Sequence, residues 1–231
     1  MRVHVAFTPA DEVRAPLGIV IDVLRATSTI TQAMASGYER VLCCAEVDEA
    51  RAAAVAAGDA VLGGERDAVK IDGFDFGNSP REFIGEPVAG TLVLTTTNGT
   101  RLLLAAAVRC DTVLVGSLLN LGALVAAARA SGAEDVAVLC AGVQGELALD
   151  DAYTAGRIAE SLGGEATDSA EAAIRLARSF GSHEEGLGSS RSARNLVEAG
   201  LAEDIAFCAR ESAIDVVPRF SRMVGTAAEV R

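Results

Sequence analysis

Tryptophan is absent from this chain, and aromatic residues make up only 4% of its 231 positions. Ala, Val and Leu must therefore fill the core, a composition that suits helices packed on a parallel sheet. Histidine occurs only at His4 and His183, which argues against histidine-based zinc or triad chemistry. The five cysteines, Cys43, Cys44, Cys110, Cys140 and Cys208, form no CxxC pair and are odd in number. Buried free thiols in a reducing compartment are the plain reading. No apolar run could span a bilayer, and the N-terminal MRVHVAFTPADEVR lacks one long enough for a signal peptide, so a cytoplasmic location is expected. Basic residues are also few, 20 against 32 acidic, giving a formal charge of -12. A surface that negative disfavours nucleic acid and anionic membranes as partners. A small anionic substrate is still allowed, because a few arginines in a cleft set the local field. The nucleotide and hydrolase signatures GxGxxG, GxxxxGK[ST] and GxSxG are missing as well.

Half the residues are hydrophobic, so the chain can bury a full core without disulfides or metal staples. No Pro- or Ser-rich linker interrupts it, and one domain over residues 1–231 is expected; a homo-oligomer is compatible with this. Apolar runs alternate with Ala-rich amphipathic stretches, the pattern of an α/β protein with three α/β/α layers and a mainly parallel sheet. Strands are predicted at Arg2–Phe7, Gly18–Val23, Arg40–Cys44, Ala60–Leu62, Thr91–Thr95, Thr112–Val115 and Val136–Cys140. Helices are predicted at Thr27–Ala35, Val47–Ala57, Thr100–Val108, Leu121–Ala130, Asp150–Leu162, Ser169–Phe180 and Ser192–Cys208. Asp215–Val217 reads as a late strand, and Ser182–Gly188, with His183, as a mobile loop.

Polar chemistry recurs where strands end, the place where open α/β sheets bind ligands. In IVIDVLRATSTI, Asp22 sits near the end of an apolar strand, where an unpaired carboxylate is costly. Asp22 and Arg25 can be metal ligand and anion clamp, with Ser28 nearby. A helix cap at Thr27 or Ser28 and an Asp22–Arg25 pair would explain the same residues. In TLVLTTTNGTRLL, a strand stops at three threonines followed by Asn98, Gly99 and Thr100. The start of the next helix offers amides to an anion, with hydroxyls from Thr96, Thr97 and Thr100 beside them; an Asn-Gly turn with a Thr cap is the plainer account. In VLVGSLLN, Ser117 follows a strand and Asn120 opens a helix, much as an ordinary cap would. In VAVLCAGVQGELALDDAYTAG, Asp150 and Asp151 open a helix, where acids cap well and also suit a hard cation. Cys140 lacks the basic neighbour a nucleophilic thiol needs.

The segment GGERDAVKIDGFDFGNSP breaks the alternation and is expected to be an ordered active-site loop. It supplies Glu65 as a carboxylate for metal and Arg66 as a cation for substrate, then Asn78 and Ser79. Ser79-Pro80-Arg81-Glu82 also fits a structural capping box.

These stretches, VIDVLRATSTI, GERDAVKIDGFDFGNSPREF, TTTNGT, GSLLN and LCAG with the LDD after it, resemble the 2-phosphosulfolactate phosphatase family over residues 18–156. The resemblance implies a Mg²⁺-dependent phosphatase of layered α/β/α fold, releasing phosphate from 2-phosphosulfolactate to give sulfolactate on one route to coenzyme M. Asp22, Arg25, Glu65, Arg66, Asn98, Gly99, Thr100, Asp150 and Asp151 fall on its motif positions. The expectation is thus a phosphatase for a small anionic 2-phospho-hydroxy acid. Asp22, Glu65 and Asp150 are the catalytic candidates, and with Asp151 the candidate Mg²⁺ ligands. Arg25, Ser28, Arg66, Asn78, Ser79, Thr97, Asn98, Gly99, Thr100 and Ser117 are the candidate substrate contacts. A non-catalytic receptor for sulfonated or phosphorylated metabolites is the alternative; a nucleotide-dependent oxidoreductase is disfavoured by the missing fingerprint.

Overall fold

Apolar side chains on both faces of the central strands decide the layering. A computed structural model describes residues Met1–Arg231. Eleven strands and nine α-helices follow one another as β1 (Arg2–Ala6), β2 (Ala15–Ile21), α1 (Ala26–Ala35), β3 (Arg40–Cys44), α2 (Val47–Ala57), β4 (Ala60–Arg66), β5 (Val69–Lys70), β6 (Thr91–Thr95), α3 (Gly99–Arg109), β7 (Cys110–Gly116), α4 (Leu121–Ala130), β8 (Asp135–Cys140), α5 (Leu149–Leu162), β9 (Glu165–Ala166), α6 (Asp168–Arg178), α7 (His183–Gly188), α8 (Arg191–Glu198), α9 (Glu203–Cys208), β10 (Phe220–Val224) and β11 (Ala227–Val230). The strands divide between two sheets. One is wholly parallel, in the order β7-β2-β8-β1-β9; the other is mixed, in the order β10-β11-β3-β6-β4-β5.

Successive residues of a strand point to opposite faces. In β2, Ile19 and Ile21 join Leu124, Ile158 and Ala173 in a core under α4, α5 and α6. Val20, between them, joins Ile30, Leu102 and Leu103 of α1 and α3 on the other face. That second core also takes in Val41, Cys43, Leu92 and Leu94 of the mixed sheet. Leu42, Cys44 and Val93 face outward, against Ala50 of α2 and Phe74. The α/β class holds, with helices on both faces of the parallel sheet as expected. The mixed sheet is a further layer: α1 and α3 are buried between the two sheets, and α2 covers the far side.

The C-terminal third departs from the sequence reading. Ser182–Gly188 is largely the short helix α7, capped by Ser182, with Tyr153 Oη 2.6 Å from His183 Nδ1. The expected helix Ser192–Cys208 breaks after Glu198, where Gly200 adopts a φ of 75°. Asp215–Val217 is not a strand; the edge is instead the antiparallel hairpin β10–β11, joined to β3 through β11. Its buried Glu229 is ringed by Arg40, Arg222 and Arg231. No helix is long and apolar enough to cross a membrane.

Candidate functional site

The carboxyl ends of β2, β6 and β8 and the β4–β5 turn meet at one cleft of about 80 Å³. Asp22, one residue beyond β2, lies on it, with Arg25, Glu65, Asn78, Thr97 and Asn98 around it.

Asp22 is only 9% exposed, and its Oδ1 accepts a 3.3 Å bond from the Ala26 amide at the start of α1. Gly99 opens α3 directly against it. A Cβ at Gly99 would lie 2.5 Å from both Asp22 Oδ2 and Ala26 Cβ, so only glycine lets the two helix starts share this space. The Glu65 carboxylate is held from three directions. Its Oε1 accepts from the Thr97 amide at 2.9 Å, and its Oε2 from the Thr97 hydroxyl at 3.3 Å and the Ala68 amide at 2.9 Å. The backbones of Glu65 and Lys70 lie opposite each other in the β4–β5 ladder, and the turn between them puts Asp67 and Ala68 at φ 53° and 66°. Such left-handed turns suit a tight hairpin but are costly for alanine, and the Glu65–Ala68 bond helps hold this one.

Asp150 and Asp151 open α5 behind this cleft. Asp150 is 1% exposed and accepts from the Ser192 hydroxyl at 3.1 Å. The two oxygens of Asp151 accept the amides of Val23 at 2.9 Å and Gly142 at 3.1 Å, stapling the loops after β2 and β8 together. Burial, then the Glu65 and Asp150 charges, pushes the Asp22 carboxyl up to about 7. Burial raises Asp150 to about 6 against its hydrogen bonds. Burial, Asp150 and Asp22 also raise Asp151. Cys140 is fully buried, and burial with the neighbouring Asp151 and Asp150 charges raises its thiol further, which removes it as a nucleophile.

The one arginine on the cleft is already engaged, because Arg25 Nη1 lies 2.7 Å from Asp204 Oδ2. The buried acids thus carry negative charge that no side chain fully offsets, a setting that suits a divalent cation. No three His, Cys, Asp or Glu side chains are arranged to hold a metal by themselves. The donor set fits a cation such as Mg²⁺, which takes one or two carboxylates and completes its shell with water and substrate phosphate.

Other candidates fall outside the cleft. The Arg66 guanidinium turns away to the carbonyls of Glu65 and Ala45 and to Thr95 Oγ1, binding strand ends together. Ser28 donates to the Val23 carbonyl at 2.8 Å and is wholly buried. Ser117 donates to Asn120 Oδ1, and Asn120 Nδ2 donates to the Val115 and Val216 carbonyls, so both side chains serve to hold the turn before α4. Thr100 and Thr96 exchange amide-to-hydroxyl bonds, each at 3.3 Å, and are buried. Ser79 caps the 3-10 turn Pro80–Phe83 and donates to Asp204 Oδ1 at 2.6 Å.

Sequence reasoning missed Asp67, Gln144, Ser192, Asn195 and Leu196 on the cleft, and Asp204 behind Arg25. Ser192, Asn195 and Leu196 share one face of α8, and that i, i+3, i+4 spacing was a usable signal. Asp204 offered none.

The chain matches the family model described as 2-phosphosulpholactate phosphatase over residues 4–222. It is 39% identical to a protein named probable 2-phosphosulfolactate phosphatase from Thermus thermophilus, with 98% of each chain covered. A protein of the same name from Deinococcus radiodurans is 38% identical over 94% of this chain and 92% of its own length. Another, from Clostridium acetobutylicum, is 36% identical over 91% and 92%. A match of this extent, over a chain whose buried acids and arginine meet at the ends of its strands, places the protein in the 2-phosphosulpholactate phosphatase family.

Proposed function

We propose that this chain is a Mg²⁺-dependent phosphoric monoester hydrolase acting on a small anionic 2-phospho-hydroxy acid. The substrate in its relatives' names, 2-phosphosulfolactate, is the first candidate, with sulfolactate and phosphate as products. One observation carries the reading: Asp22, Glu65 and Arg25 share a single small cleft, with Asp150 buried just behind Asp22.

Phosphoryl transfer to water depends mainly on positioning and charge neutralisation. Mg²⁺ held by Asp22 and Glu65, with Asp150 behind, would offset phosphate charge and acidify a water. Asp22 Oδ1 is committed to the Ala26 amide, which leaves Oδ2 for an ion or a water. Arg25, locked by Asp204, presents a fixed cation to a phosphoryl oxygen without a large loss of side-chain freedom. Thr97 and Asn98 lead into α3, whose start favours negative charge. Action in the cytoplasm, in keeping with five free thiols, and a place in coenzyme M formation belong to the same reading.

Phosphate release from 2-phosphosulfolactate by the purified chain, with Mg²⁺, with EDTA and after Mg²⁺ is restored, tests it. Release that EDTA stops and Mg²⁺ restores is expected. Binding without release from any 2-phospho-hydroxy acid would leave a receptor in place of an enzyme, although a receptor for anions has no need of three buried acids.

A further inference from the structure

A second cavity, of about 550 Å³, adjoins the cleft and shares Arg25, Ala68 and Asn78 with it. Small-ligand sites usually measure about 300–1,000 Å³, so the cleft of about 80 Å³ is too small for a whole ester and the neighbour is not.

The two spaces differ in charge. The cleft carries Asp22, Glu65 and Asp67 against Arg25. The neighbour is lined by Arg25, Lys70 and Arg81 against Glu82 alone. Glu82 is committed to the amides of Gly77 and Ser79, each at 3.2 Å. Arg25 and Arg81 both face Asp204, and Arg81 also pairs with Glu203. Lys70, the only lysine in the chain, has no carboxylate partner; its Nζ donates to the Asp75 carbonyl at 3.1 Å.

The shared wall carries an uncommitted polar group. Asn78 is 4% exposed, yet its Oδ1 is one of only two buried side-chain polar atoms without a hydrogen-bond partner. Such atoms are rare, because a buried unpaired polar group costs stability. A half-turn of the amide exchanges oxygen and nitrogen, so Asn78 can present N–H donors to an anion lying between the two spaces.

We infer that this second cavity is the subsite for the acid-bearing, non-transferred end of the ester, with Lys70 as its outer cation and Asn78 at the junction. The phosphoryl group would sit among the carboxylates and Arg25, and the sulfonate and carboxylate beyond Asn78. The inference rests on the phosphatase reading for the cleft, but its test does not need turnover.

Sulfolactate and, separately, inorganic phosphate are titrated calorimetrically into the full-length wild-type chain, Lys70→Ala and Lys70→Glu. Lys70 is exposed on a two-residue strand, so both variants fold. Lys70→Ala is expected to weaken sulfolactate about three- to fivefold and Lys70→Glu further, with phosphate weakened by no more than about twofold. Sulfolactate affinity unchanged in both variants overturns the subsite, as does an equal loss for phosphate or no sulfolactate binding to the wild type. Catalysis that fails while the titrations succeed removes the hydrolase and keeps the subsite; normal hydrolysis with unaltered sulfolactate binding removes the subsite alone.

Discussion

Arg25 and Asp204 are 179 positions apart in sequence, and their side chains meet at 2.7 Å with only 2% and 0% exposed. Asp204 Oδ1 also accepts from the Ser79 hydroxyl, so α9 fixes both the loop after β2 and the long loop before Pro80. The C-terminal third therefore sets the orientation of a cleft whose recognisable motifs all lie earlier in the chain.

Removing one member of a buried pair strands the other charge. Asp204→Ala is expected to cost about 3–5 kcal/mol in denaturant unfolding. Replacing both, Arg25→Met with Asp204→Leu, should recover most of that stability, because the uncompensated charge is gone. Phosphate affinity, measured by titration, should not recover in the double variant. Recovery of binding along with stability would reduce Arg25 to a structural role.

Asp22→Asn keeps the side chain's size and its bond from the Ala26 amide while removing the charge. The far-UV spectrum and cooperative unfolding should persist, while Mg²⁺-dependent phosphate release falls at least about a hundredfold. Near-normal turnover by the folded variant would take Asp22 out of the reacting centre.

Buried acids also predict how stability follows pH. The Asp22 carboxyl stands near 7 and Asp150 near 6 in the fold, both above the ordinary value of 3.8. Between about pH 4 and 7 the folded chain then holds more protons than the unfolded one, so stability falls as pH rises through this window. Below it, both states are protonated and the penalty vanishes. Thermal unfolding in EDTA should show Tm declining from pH 5 to 7.5, and Asp22→Asn should flatten the decline. Added Mg²⁺ should raise Tm more at pH 7.5 than at pH 5, because it competes with protons for the same carboxylates.

The same burial explains what the sequence could and could not disclose. Asp22 and Glu65 were legible because a charged residue beside an apolar strand needs a reason, and both line the cleft. Short continuous apolar runs gave β2, β3 and β6 as strands, but not that they divide between two sheets. Which strands pair is settled by long-range packing of α1 and α3, which local pattern does not encode. Arg66 shows the converse limit. A cation next to a glycine-rich loop reads as a substrate contact, yet its fork is used up on two backbone carbonyls and a threonine. The hairpin β10–β11 was invisible because Phe220–Val224 is an edge strand, largely exposed and without a clean apolar alternation.

Gly99 shows what holds the two strand ends together. Its missing side chain lets α3 start against Asp22 and Ala26, where a Cβ would lie 2.5 Å from Asp22 Oδ2 and from Ala26 Cβ. Gly99→Ala therefore forces α3 and α1 apart or displaces the Asp22 carboxylate. Overpacking of this kind costs about 1–3 kcal/mol. A second change separates the two contacts. Ala26→Gly on the Gly99→Ala background removes only the methyl clash, so unfolding experiments should show part of the stability restored. The clash with Asp22 Oδ2 persists, so phosphate release should stay depressed in the double variant. If activity returned together with stability, Gly99 would serve helix packing alone, and its approach to the carboxylate would have no part in placing it.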